Sequence, residues 1–108
     1  VNDAHPLVSE VLPEFHSELV VLLRGEAEHA LADALGLVSF HDWCECGDDR
    51  CQSFRTAPEP EEPYGPGHRL VRLSAEDDTV IKVDVVHDAV VFVEVHDRPK
   101  LRIQFRAG

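Results

Sequence analysis

The sequence predicts an α+β fold: an N-terminal helical pair packed on an antiparallel sheet of about five to six strands, joined by a cysteine-bearing hairpin. Three observations carry this. Apolar residues recur at helical spacing between Phe15 and Leu35, then at every second position from Val71 to Phe105. Between the two regimes lies His41-Asp42-Trp43-Cys44-Glu45-Cys46-Gly47-Asp48-Asp49-Arg50-Cys51-Gln52-Ser53-Phe54, which holds all three cysteines and the single tryptophan.

Residues 1–12 read as a lead-in, with a short turn after Pro6. Pro13 suits a first helical position, where its missing N–H costs nothing. Phe15, Leu19, Leu22 and Leu23 then form one apolar stripe, and Arg24 complements the negative end of the helix dipole. Gly25 is placed to end this helix in a left-handed conformation. A second helix is predicted over Glu26–Leu35, with Ala27, Leu31, Ala34 and Leu35 on its inner stripe and Gly36 stopping it. Leu37–Trp43 and Cys51–Thr56 favour extended backbone. Turn-forming residues between them make residues 37–56 a hairpin with the cysteines around its tip. Ala57–Gly67, with four prolines and three glutamates, is a connecting loop.

Residues 68–106 read as antiparallel strands. Val71 and Leu73 share one face, and Ala75-Glu76-Asp77-Asp78 turns the chain. Ile81, Val83 and Val85 point inward, then Val91, Val93 and Val95. A three-residue loop, His87-Asp88-Ala89, would place Val85 opposite Val91, Val83 opposite Val93, and Lys82 in an ion pair opposite Glu94. After the turn at Asp97-Arg98-Pro99-Lys100, Leu101, Ile103 and Phe105 line a last strand. The expected core is Leu19, Leu22, Leu23, Leu31 and Leu35 against those inward strand residues.

At 108 residues the chain has room for one domain and one core, and 44% hydrophobic with 29% charged residues is the balance of a folded protein. Its net charge of -11 would repel a phosphate backbone and argues against nucleic-acid binding. It suits solubility first, and a basic partner or nucleic-acid mimicry second. The longest apolar run, Leu19–Leu23, is far too short to cross a bilayer. No basic start followed by an apolar segment marks a signal peptide, although Val1 in place of methionine leaves the native start open. Three cysteines do not make a fully paired extracellular framework, so the cytoplasm is the expected compartment.

The cysteine hairpin admits three readings. Cys44 and Cys46 are two apart and share a face if extended, and the turn returns Cys51 towards them. With His41 as fourth ligand they would make a tetrahedral zinc site, although Asp48, Asp49, His68 or His96 could replace His41. Cys-x-Cys-x4-Cys is a weaker signature than two Cys-x-x-Cys knuckles, and His41 lies at an odd offset of three from Cys44. Thiol chemistry is the second reading. It is disfavoured by Asp42, Glu45, Asp48 and Asp49, which raise thiol pKa values with only Arg50 in opposition. In the third, the cysteines are small buried apolar residues, with one cross-hairpin pair forming under oxidation.

Elsewhere catalytic signatures are thin. His16 and His29 read as helix-surface residues, His87 and His96 as strand-end residues. The pairs Asp48-Asp49, Glu61-Glu62 and Asp77-Asp78 are solvated turn charges, because a carboxylate dyad needs burial. No serine has a nucleophile-elbow context, and no glycine-rich phosphate loop occurs. Trp43 reads as a plug between hairpin and core.

The segments Cys44-Glu45-Cys46-Gly47-Asp48 to Cys51-Gln52-Ser53-Phe54, Tyr64-Gly65-Pro66-Gly67-His68-Arg69, Ile81–Val86 and Val93–Pro99 resemble a group of small, uncharacterised proteins of GC-rich actinobacteria with a C-x-C-G-D-x-x-C-x-[ST]-F segment. The resemblance covers roughly Gly36 to Pro99. It implies a bacterial cytosolic origin and carries over no catalytic residue. The sequence as a whole points to a small acidic non-enzymatic interaction or regulatory protein with a protein partner. A thiol- or metal-dependent enzyme centred on Cys44, Cys46 and Cys51 is the alternative.

Overall fold

The helical layer begins earlier than the sequence periodicity predicts. The computed structural model of the chain describes residues 5–44, 51–58, 64–75 and 78–96. Within the predicted lead-in, α1 spans Val8–Val11, and the Glu10 carboxylate accepts the Leu7 N–H at 2.9 Å. One helical turn is too short to show a period, yet Val8 and Leu12 are fully buried. Next comes α2, Pro13–Gly25, with Pro13 in its first turn and Phe15, Leu19 and Leu23 buried. Leu22 only packs against the core from its edge, and His16, expected on the surface, is half-buried with Nε2 enclosed.

The end of α2 departs from expectation. Gly25 is its last helical residue, and the left-handed residue is Ala27, at φ 62°. The Ala27 N–H bonds the Arg24 carbonyl at 3.0 Å and the Glu28 N–H bonds the Leu23 carbonyl at 2.8 Å, a Schellman closure. These two bonds set the stop, and a glycine inside the helix costs only about 1 kcal/mol. Consequently α3 is shorter than predicted, His29–Ala34, and runs through Gly36 as a 3-10 turn, Leu35–Leu37. Arg24 ties α2 to α3 through Asp33 at 2.6 Å.

Among the described residues five strands form one antiparallel sheet: β1 Asp42–Trp43, β2 Phe54–Arg55, β3 His68–Ser74, β4 Val80–Val86 and β5 Ala89–Glu94, in the order β1-β2-β5-β4-β3. The cysteine hairpin therefore joins the meander through β5, a neighbour the sequence left open. The hairpin tip at 45–50, loop residues 59–63 and the predicted last strand with Ile103 and Phe105 lie outside the described residues.

Register between β4 and β5 combines two devices. Lys82 stands opposite Glu94 and Val83 opposite Val93, as predicted. Beyond a bulge at Asp84/Val85, however, Val85 faces Val90 and Val86 faces Ala89. The predicted partner, Val91, is the extra residue. The loop has two residues, His87 and Asp88, at φ 50° and 67°, as a type I′ turn requires. A two-residue turn alone would put Ile81 opposite Glu94; the bulge absorbs that slip. Val90 rather than Val91 is thus in the core. The expected Lys82–Glu94 ion pair gives way to a contact between the Glu94 carboxylate and His96 Nε2, at 3.1 Å.

Buried residues of α1, α2 and α3 and of β2 to β5 form a single cluster on one side of the sheet. Arg69 on β3 reaches the helices, making two 2.9 Å bonds to the Glu28 carboxylate. Those bonds hold the Glu28 carboxyl below its ordinary range and push the Arg69 guanidinium up. No helix among the described residues is long and apolar enough to cross a membrane.

Candidate functional site

The chain on either side of the cysteine hairpin is held by backbone pairing. The Phe40 N–H bonds the Pro6 carbonyl at 2.7 Å, the Val8 N–H bonds the Val38 carbonyl at 2.9 Å, and Leu7 bridges Ser39. This pairing brings His5 beside His41, their rings stacked 3.9 Å apart and 16° from parallel. Sequence reading passed over His5 because only the long-range pairing joins it to the hairpin.

Further along, the Cys44 N–H bonds the Ser53 carbonyl at 2.8 Å, and Cys51 bridges His96 beyond the end of β5. Continuing the β1–β2 register puts Cys44 and Cys51 on one face of the hairpin, opposite the Phe54 side chain. Cys44 is half-buried and Cys51 is buried. Of the proposed metal ligands, the structure places Cys44 and Cys51 on this shared face and His41 against His5. Cys46, Asp48 and Asp49 lie outside the described residues. Among the described residues no three His, Cys, Asp or Glu side chains are grouped to hold a metal. The histidine that the register aligns with Cys51 is His96.

What secures the hairpin is a set of buried polar side chains that sequence reasoning did not single out: Gln52, Ser53 and Thr56. The Ser53 hydroxyl accepts the Val95 N–H at 2.8 Å, and the Gln52 side-chain amide donates to the Cys51 carbonyl at 3.1 Å while its backbone N–H donates to the Val95 carbonyl at 2.7 Å. Thr56 caps the bulge, donating its hydroxyl to the Val90 carbonyl at 2.7 Å and its N–H to the Val91 carbonyl at 3.0 Å. Each satisfies a group whose burial alone would cost about 1–3 kcal/mol. On the inner face Phe54 is fully buried against Phe15, Phe40 and Trp43, so Trp43 does plug the hairpin onto the core. A groove of about 310 Å³ opens nearby, lined in part by Leu31, Leu37, His41, Thr56 and Asp88.

The opposite sheet face has a different character. Leu70 and Val80 are 44% and 43% exposed, two of the four exposed large apolar side chains among the described residues. Arg72 on β3 stands directly opposite Lys82 on β4, and Lys82 opposite Glu94 on β5. Asp84 is bound by His68 Nε2 at 2.7 Å, and Tyr64 lies over the His68 ring at 4.7 Å. Arg55 sits over the Phe92 ring, its guanidinium carbon 5.0 Å from the centroid.

Fold and surface together define a two-layer α+β domain with helices on one sheet face and a mixed apolar and charged surface on the other. No protein-family model matches the chain, and no curated protein or solved structure matches it.

Proposed function

We propose that this chain is a small acidic, non-enzymatic interaction or regulatory protein that docks a protein partner on the outer face of its sheet. The observation that carries the reading is the exposure of Leu70 and Val80 on the face turned away from the helices. They stand on either side of the Arg72–Lys82 pair, and exposed apolar side chains sharing one sheet face gain by being covered. The resemblance to small actinobacterial proteins supports a bacterial cytosolic setting. In-cell cross-linking followed by reconstitution tests the proposal. The expected result is a stoichiometric partner lost in the Leu70→Asp/Val80→Asp variant while its thermal melt is retained. A partner indifferent to that variant sinks it, as does substrate turnover abolished by Cys51→Ser.

The shared face of Cys44 and Cys51 supports a second reading, for the hairpin alone: a structural zinc held by Cys44, Cys46 and Cys51 with a histidine, His96 by register or His41 by sequence proximity. Zinc there would cross-link the hairpin as a fold-stabilising clasp. Native mass spectrometry of protein made with zinc should then show one bound ion, lost with Cys46→Ser alongside a lower melting temperature. An apo mass for the unmodified chain removes this reading.

A further inference from the structure

We infer that the outer sheet face takes an acidic segment of its partner, a stretch in which carboxylates are interspersed with apolar side chains. This rests on the docking reading above and adds the chemistry of the occupant. The chain carries 21 acidic and 10 basic residues, yet it sets Arg72 and Lys82 side by side on adjacent strands. Like charges placed directly opposite each other destabilise an antiparallel pair. Among the described residues neither cation is in an ion pair.

Two carboxylates of the face beside these cations are already engaged: Asp84 by His68 and Glu94 by His96. Glu94 stands next to Lys82 in the ladder but turns its oxygen to the histidine, leaving the cationic pair, among the described residues, with no anion from its own row. Arg55 adds a third cation over Phe92, with Asp42 opposite it at the far edge. Leu70 and Val80 flank Arg72 and Lys82 one ladder position to either side on the same face. Cations and apolar side chains thus occupy one continuous surface, the complement of a carboxylate-bearing amphipathic segment.

The sign of the whole chain decides between a peptide and a polyanion. Charges are screened beyond about 8 Å at physiological salt, so a short segment on Arg72 and Lys82 senses mainly the local cations. A nucleic acid long enough to gain from counterion release would run on across the acidic remainder of the surface.

Fluorescence anisotropy with a labelled synthetic peptide of alternating glutamate-rich and leucine positions tests this on the full chain. Its counterpart with glutamine at every glutamate is the control, and an unlabelled single-stranded oligonucleotide is the competitor. We expect the acidic peptide to bind roughly tenfold more tightly than the glutamine version, and that margin to vanish in Arg72→Glu/Lys82→Glu. It should also shrink in the milder Arg72→Gln/Lys82→Gln, which keeps the inference testable if charge reversal unfolds the sheet. Val21→Asp, on the outward side of α2, should leave it unchanged. Equal binding of the two peptides overturns the inference, as does a margin that survives both double variants. Displacement by the oligonucleotide at lower concentration than by unlabelled peptide assigns the face to nucleic acid and also overturns it. If Leu70→Asp/Val80→Asp abolishes the cellular complex while the acidic peptide fails to bind, the docking surface stands and only this assignment of its occupant falls.

Discussion

The β3–β4 hairpin and the β1–β2 hairpin belong to one sheet and are held by different means. In β3–β4, seven consecutive residue pairs run from His68↔Val86 to Ser74↔Val80 without a break, and backbone hydrogen bonding with alternating burial suffices. In β1–β2 there are two such pairs, and the ribbon is fastened to β5 by the side chains of Ser53 and Thr56 and by Phe54 beneath. A long ladder spreads its stabilisation over many equivalent bonds. A short one concentrates it in a few side chains, so single substitutions should be unequal between the two.

The largest expected effect is at Phe54. Truncation by Phe54→Ala removes the ring on which Phe15, Phe40 and Trp43 meet, and should cost about 3–5 kcal/mol in a urea unfolding titration. A loss no larger than about 1.5 kcal/mol, the upper end for Ile81→Val in β4, would erase the contrast between the hairpins. Next come the polar fasteners. Ser53→Ala leaves the Val95 N–H without its acceptor and Thr56→Val leaves the Val90 carbonyl without its donor, each costing about 1–3 kcal/mol. Amide exchange should accelerate at Val95 in the first variant, with β3 protection changed only through global stability.

A smaller effect of opposite sign belongs to the meander. Asp88 holds φ 67° in the two-residue turn, so Asp88→Gly should raise stability by about 1 kcal/mol and sharpen the β4–β5 register. Smallest is Glu28→Gln, which replaces a half-buried carboxylate paired with the exposed Arg69 and should cost about 0.5 kcal/mol. Because the folded state lowers the Glu28 pKa, this contribution is present above the ordinary carboxylate range and is lost as pH falls through the lowered value. The difference in melting temperature between parent and variant should therefore shrink on acidification and with added salt. A difference that grows in acid would contradict the pairing.

How legible the fold was depended on segment length. Between Phe15 and Leu23 and again between Val71 and Val85, each inward residue repeats a pattern long enough to identify, and the structure buries Phe15, Leu19, Leu23, Val71, Leu73, Ile81, Val83 and Val85. The one-turn helix at Val8–Val11 shows no such pattern, and the left-handed residue fell at Ala27 although Gly25 is better suited to it. Val90 displaced Val91 from the core because turn and bulge compensate each other, and a period of two cannot represent an inserted residue. In the candidate site, Cys44 and Cys51 could be drawn together from hairpin logic. The alignment of His96 with Cys51, and the stacking of His41 on His5, depend on strand neighbours far apart in sequence.

By itself, then, the order of residues determined the class of the fold, the identity of most inward-facing side chains and the place where helical spacing gives way to alternation, because each follows from local backbone geometry acting on nearby residues. Tertiary structure alone decided that the cysteine hairpin lies against β5, that hydroxyls of Ser53 and Thr56 complete the ladder, and that Arg72 and Lys82 share an outer face with Leu70 and Val80. Those are relations between distant segments, set by which buried donors and acceptors find partners once the layers close.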